Sequence, residues 1–193
     1  MKLYKNAVIF AGGKSSRMGK DKALLPFGAY KSLSHFQFDK LQKLFTHVYL
    51  SAKNDKFDFE APVIKDKYSE DSPLVGLLSI FESLEVEEVF ILSVDAPFVD
   101  ASVIAKLMAE RTEPYDAIVA KSPSGLQPLC GAYNRSILPL VREQYEKGDH
   151  KLMNLLSLVH TITVDFEDDT PFTNLNHPEE YEEACLTLAD KKA

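Results

Sequence analysis

Apolar residues fall along this chain in two alternating rhythms. Ala7-Val8-Ile9-Phe10 is apolar at consecutive positions and stops at Gly12-Gly13. A strand with no polar face is one covered on both sides, as in a buried parallel sheet. Glu88-Val89-Phe90-Ile91-Leu92-Ser93-Val94 is the clearest run of this kind, ended by Asp95-Ala96-Pro97. Val48-Tyr49-Leu50, Pro62-Val63-Ile64, Ala117-Ile118-Val119-Ala120 and the stretch 128–133 read as further strands. Thr161-Ile162-Thr163-Val164 alternates and is rich in β-branched residues, as a strand does. Between these runs the spacing becomes helical. Leu74, Leu77, Leu78, Phe81 and Leu84 form one stripe, and Val103, Ile104, Leu107 and Met108 a second, with Ser102 as its candidate cap. Tyr181, Ala184, Cys185 and Leu188 form a third, with Pro178 suited to its first turn. Strands alternating with helices predict an α/β fold: a mostly parallel sheet with helices on both faces. No repeat, linker or charge block divides the chain, so 1–193 is expected to be a single domain.

Composition narrows the partners. Hydrophobic residues make up 45% and charged residues 26%, enough core to exclude disorder as the main state. A formal net charge of −7 argues against a surface that binds nucleic acid. The apolar run at residues 7–10 is too short for a signal-peptide core or a membrane span. Cys130 and Cys185 belong to no CxxC or His/Cys cluster, which excludes a structural zinc motif. The expectation is a cytoplasmic protein with free thiols and no membrane partner.

The densest chemistry lies directly after the first strand, in Ala11-Gly12-Gly13-Lys14-Ser15-Ser16-Arg17-Met18-Gly19-Lys20-Asp21-Lys22. Lys14, Arg17, Lys20 and Lys22 stand there against Asp21 alone, inside an acidic chain. Glycines allow close backbone approach, exposed N–H groups make an anion nest, and the basic side chains add full charges. That combination describes a triphosphate loop, and a solvated Gly/Lys loop is the plain alternative. A Walker A loop is excluded, because Lys20 is followed by Asp21 rather than Ser or Thr, and GxGxxG does not fit either. Asp95, at the carboxyl end of the strongest strand, sits where open α/β sheets bind ligands. It is a hard oxygen donor for Mg²⁺, or else a turn aspartate before Pro97.

Phe10-Ala11-Gly12-Gly13-Lys14-Ser15-Ser16-Arg17-Met18-Gly19-Lys20-Asp21-Lys22 resembles the LAGGxSxRMGxDK signature of the molybdenum cofactor guanylyltransferases, the MobA proteins. Ser72-Pro73-Leu74-Val75-Gly76 is similar to the family's GPLxG segment, Val94-Asp95-Ala96-Pro97 to its CDxP turn, and Asn174-Leu175-Asn176-His177-Pro178-Glu179-Glu180 to NxNxPEE. The resemblance implies a Rossmann-like nucleotidyltransferase fold that joins GMP from GTP to molybdopterin and releases pyrophosphate, with Mg²⁺. It assigns residues 1–100 mainly to the nucleotide and 101–193 mainly to the acceptor. It implies GTP contacts at Phe10, Ala11, Gly12, Gly13, Lys22, Ser51, Asp66, Gly76 and Asp95, with Mg²⁺ on Asp95. Ser51 stands where the family often carries Asn, so a hydroxyl replaces an amide. Asn174 and Asn176 would handle molybdopterin, and the molybdenum-insertion machinery and acceptor-enzyme chaperones would be transient partners.

Several of these residues have a second reading in the sequence. Asp66 is either an acceptor for guanine N1–H and N2–H or a loop acid between Lys65 and Lys67. Gly76 either admits the guanosine or serves packing alone. Asn174 and Asn176 either share one face of an extended segment or cap the helix starting near Pro178. The expected catalytic groups are Arg17, Lys22 and Asp95. A phosphate monoester is largely ionised at neutral pH, with a second pKa of about 6, so no buried general base is needed. The alternatives are a nucleotidyltransferase that acts on a sugar phosphate or uses CTP with molybdopterin, and a nucleotide-binding protein without catalysis.

Overall fold

A computed structural model describes residues 2–13 and 19–190. Among them, seven strands form one sheet in the order β3-β2-β1-β4-β6-β5-β7. The strands are β1 (Tyr4–Phe10), β2 (Phe45–Ala52), β3 (Val63–Lys65), β4 (Glu88–Ser93), β5 (Ala117–Ser122), β6 (Gly125–Asn134) and β7 (Thr161–Asp165). Strands β3, β2, β1 and β4 are mutually parallel, and β7 is parallel to β5. β6 runs antiparallel to both of its neighbours, β4 and β5. A two-residue link, 123–124, folds β5 and β6 into a hairpin, and no crossover of that length could return a parallel strand.

Among the described residues six α-helices cover the sheet: α1 (Leu33–Gln42), α2 (Pro73–Ser83), α3 (Ala101–Ala109), α4 (Leu138–Glu146), α5 (Leu152–Leu158) and α6 (Pro178–Asp190). The unbroken apolar runs are explained by their two faces. Ala7 and Ile9 of β1, with Phe90 and Leu92 of β4, pack under α1, α3 and α6. Val8, Val89 and Ile91 point the other way, under α2, α4 and α5. Asp100, not Ser102, caps α3: its carboxylate accepts from the Ser102 and Val103 amides at 2.9 and 3.1 Å. A carboxylate two residues before the first free amides satisfies both, which a serine already inside the helix cannot do.

Helix α1 escapes an apolar-stripe reading because a polar residue completes its inner face. Leu33, Gln37, Phe38 and Leu41 are all buried there. Lys40, one turn beyond Gln37, donates to the Pro97 carbonyl at 2.9 Å. Burial pulls its pKa from 10.5 down to about 7. Between these two values the unfolded chain holds a proton that the folded chain lacks, so this group makes stability rise with pH from about 7 toward 10.5. Lys40→Met should flatten that rise. Urea unfolding of both proteins at several pH values above neutrality measures it, and equal slopes in the two would refute the assignment.

Candidate active site

The parallel strands deliver the predicted residues to one edge of the sheet. Phe10 ends β1, Ser51 lies near the end of β2, Asp66 follows β3 and Asp95 follows β4. Backbone bonds lock the strand ends together: Ala11 N–H donates to Ser51 O at 2.9 Å, Asp66 N–H to Ala52 O at 3.2 Å and Val94 N–H to Phe10 O at 3.0 Å. Strand order reverses between β1 and β4, the place where open α/β sheets form a ligand crevice. A cavity of about 400 Å³ occupies it. Phe10, Gly12, Gly13, Ser51, Asp66 and Gly76 all line this cavity. Ala11 does not; it is buried, and its N–H and C=O are taken by Ser51 and Lys56. Ser72 and Pro73, from the segment Ser72–Gly76 already singled out, line it too, as do Asp71, Ser93 and Leu129, which the sequence reading did not pick out. Asp71 directly precedes that segment, whereas nothing in the sequence marks Leu129.

Two glycines are required by the shape of this wall. Gly13 has φ 118°, a left-handed conformation that side chains resist. A Cβ on Gly76 would stand 2.5 Å from Phe10 Cε1, so the α2 start packs directly on the Phe10 ring. Gly76 is thus a packing glycine, and its packing against Phe10 shapes the cavity. Ser72 caps α2 by accepting from the Val75 amide at 3.2 Å, which aims the positive end of the helix at the same space.

Asp66 is the least satisfied group in the cavity. Its Oδ1 is buried and has no hydrogen-bond partner among the described residues. Desolvation holds the carboxyl above the usual carboxylate range, the Asp71 charge adds to this, and Lys53 and the Ser51 hydroxyl oppose it. A buried acceptor of this kind matches a ligand that brings N–H donors.

Lys22 and Asp95, 73 positions apart in the chain, meet directly. The Lys22 ammonium pairs with Asp95 Oδ2 and donates to Asn176 Oδ1 at 3.1 Å. Ser93 Oγ donates to the other Asp95 oxygen. Lys22 begins a 3-10 turn capped by Asp21, and Lys56 anchors that turn by pairing with Asp21 while donating to Ala11 O at 2.9 Å. Lys56 thus ties the two ends of the glycine-rich loop to each other. Arg17 and Lys14 lie outside the described residues.

Asp95, Asn174 and Asn176 line a second cavity of about 190 Å³, together with Gln127, Cys130 and Phe172. Ser93 and Leu129 belong to the walls of both cavities. Burial pushes the Cys130 thiol up to about 12, which keeps it protonated and inert. The two asparagines flank buried Leu175, whose N–H donates to Asp95 O at 2.9 Å. Among the described residues neither asparagine side chain caps α6, and Asn176 Oδ1 accepts from Lys22 instead. Glu180 caps the helix, accepting from the Asn176 and His177 amides at 2.6 and 2.8 Å.

Among the described residues, no three His, Cys, Asp or Glu side chains cluster as a metal cage. Asp95 offers a single carboxylate where the two cavities adjoin. One carboxylate suits Mg²⁺, which keeps several waters and completes its octahedron with substrate phosphates. The donor set therefore fits Mg²⁺ arriving with a triphosphate.

The model of the MobA-like NTP transferase domain matches residues 7–163. A molybdenum cofactor guanylyltransferase of Campylobacter jejuni is 42% identical over 179 residues, covering 92% of this chain and 93% of that protein. A probable molybdenum cofactor guanylyltransferase of Carboxydothermus hydrogenoformans is 33% identical over 192 residues, covering 95% and 96%. The fold is shared with molybdopterin-guanine dinucleotide biosynthesis protein A from Archaeoglobus fulgidus, at a TM-score of 0.80 and 17% identity, over 96% of this chain and 99% of that one. Among the described residues no helix is long and apolar enough to cross a membrane.

Proposed function

Because the chain belongs to the MobA-like NTP transferase family and is therefore a nucleotidyltransferase, we propose that it transfers GMP from GTP to molybdopterin. A phosphate oxygen of molybdopterin forms a bond to the α-phosphorus of GTP, the bond from that phosphorus to the bridging oxygen breaks, and pyrophosphate leaves. The products are the guanine dinucleotide form of the cofactor and pyrophosphate.

The observation that carries this reading is the Lys22–Asp95–Asn176 contact beside two cavities that share Ser93 and Leu129. The larger cavity takes the nucleoside triphosphate, and the smaller takes the phosphate end of the acceptor. Asp66 accepts from guanine N1–H and N2–H, an edge that adenine lacks, and Ser51 supports that carboxylate. Gly12 and Gly13 let the loop backbone approach the phosphates. Lys22 supplies positive charge where two anions must come together, and Arg17 adds a bidentate grip. Asn174 and Asn176 orient the acceptor by hydrogen bonds. When bound at Asp95, Mg²⁺ supplies neutralisation of the phosphate charge and polarisation of the α-phosphorus. The acceptor phosphate arrives already ionised, so the chain contributes position and charge rather than a proton acceptor.

Incubation with GTP, Mg²⁺ and molybdopterin, with mass detection of the dinucleotide, tests the reading. Product with GTP and none with CTP or UTP is the expected outcome. Product only with CTP, or only with a sugar phosphate as acceptor, would transfer the same geometry to a different substrate pair. Binding of GTP without product on any molybdopterin preparation would reduce the chain to a nucleotide-binding protein.

A further inference from the structure

The turn that carries Asp95 is held from beneath by one side chain. Gln37 Nε2 lies 3.2 Å from Ser93 O, 3.2 Å from Val94 O and 3.0 Å from Ala96 O. Gln37 is 0% exposed. Lys40, three residues further along α1, takes the next carbonyl, Pro97 O, at 2.9 Å. The Asp95 carbonyl itself takes the Leu175 amide at 2.9 Å. The two Gln37 N–H groups are thus shared among three carbonyls, and Ser93 O also accepts from the Ala96 amide at 3.3 Å within the turn, so each carbonyl from 93 to 97 has a donor. These carbonyls lie at and just past the end of β4, where Ser93 is the last residue in register with β1, and a buried acceptor without a donor is costly.

Gln37 is expensive at this place. Its Oε1 is buried with no partner among the described residues. Its neighbours on the inner face of α1 are Leu33, Phe38, Leu41 and Ser34, whose hydroxyl donates to Ala23 O at 2.7 Å, so an apolar side chain at 37 would meet the packing demands of the helix. The amide is thus explained by what its N–H groups hold, not by the core around it.

We propose that Gln37 is a positioning residue for the nucleotidyl transfer: its amide fixes the β4–α3 turn so that the Asp95 carboxylate faces Lys22, Ser93 and the phosphate-bound cation. The inference rests on Asp95 being the cation-holding carboxylate of the proposed reaction. Side chains that orient a metal-binding carboxylate typically change metal affinity or activity by about 10–100-fold when removed. Lys40 holds the turn two residues further from Asp95, so its contribution is smaller.

Gln37→Met keeps the length of the side chain and removes its donors. The experiment titrates Mn²⁺ into the full-length protein with GTP present, following the free ion by electron paramagnetic resonance, and in parallel measures GTP binding without metal. The half-saturating Mn²⁺ concentration is expected to rise about tenfold in Gln37→Met, while metal-free GTP binding stays within about twofold. A purely structural role would weaken both together or neither. In the Asp95→Ala background, Gln37→Met should cause no further loss of metal binding, because the two act through one carboxylate. Unchanged Mn²⁺ binding in a folded Gln37→Met protein overturns the proposal, as does a loss that adds in full to that of Asp95→Ala. If Asp95→Ala alone leaves Mn²⁺ binding intact, the reading of Asp95 fails instead, and the proposal falls with it. Should Gln37→Met not fold, Lys40→Met decides: an about threefold rise in half-saturating Mn²⁺ supports the clamp, and no rise refutes it.

Discussion

Lys22→Ala is expected to lower turnover by about 10²–10³-fold while leaving a folded protein, the usual loss when one preorganised charge donor is removed. Asp95→Ala is expected to do the same. The two side chains are each 15% exposed and touch, so neither is an ordinary surface charge. Removing Lys22 has two effects that must be separated. It takes a cation away from the phosphates, and it leaves Asp95 and Asn176 without their shared donor. The second effect lowers stability, because half of a poorly solvated pair is left behind. Thermal unfolding followed by circular dichroism reports that loss, and single-turnover rates at saturating GTP and acceptor report the first. The double variant Lys22→Ala/Asp95→Ala should lose far less than the product of the single losses, since the residues act as one unit. Near-native turnover in either single variant would remove the pair from the mechanism.

Asp66→Asn should weaken GTP binding by about 10–100-fold, because a hydrogen bond to a charged group contributes about 1.5–3 kcal/mol. The volume of the side chain is unchanged, so cavity shape is not at issue. The affinity for ITP, which lacks the 2-amino group, should fall less, and discrimination between the two nucleotides should shrink. A pH dependence accompanies this. Desolvation chiefly, with the Asp71 charge, raises the Asp66 pKa, so its protonation on acidification begins above the usual carboxylate range. The ionised form is the one that accepts two N–H donors. GTP affinity should therefore fall as pH drops through the raised pKa and be flat in Asp66→Asn. Isothermal titration across mildly acidic pH measures both. A slope that persists in Asp66→Asn would assign it to another group.

What could be read from the sequence follows from how local each signal is. Six of the seven strands are visible as short continuous apolar runs and β7 as a β-branched alternation, and Gly12-Gly13 and Asp95-Ala96-Pro97 mark where two of them end. The reversed direction of β6 is not visible, since an apolar run has the same pattern in either direction. Helices α2, α3 and α6 show clear stripes. Helix α1 does not, because Gln37 fills a core position for the sake of the β4–α3 turn. The pairing of Lys22 with Asp95 is suggested by residue chemistry, since a cationic loop and a lone acid both end parallel strands. The bond from Lys22 to Asn176 spans 154 positions and has no local signature. Asp100 displaces Ser102 as a cap by two positions, a shift that the spacing of apolar residues does not fix.

The lone antiparallel strand brings a different part of the chain to the smaller cavity. The nucleotide wall is assembled where parallel strands finish, whereas Gln127, Pro128 and Leu129 stand where β6 begins, just past its tight link to β5. Lengthening or shortening that link would act first on the smaller cavity, and on the larger one only through Leu129. Evolution could therefore retarget such a scaffold to a new phosphate-bearing acceptor by editing a single hairpin.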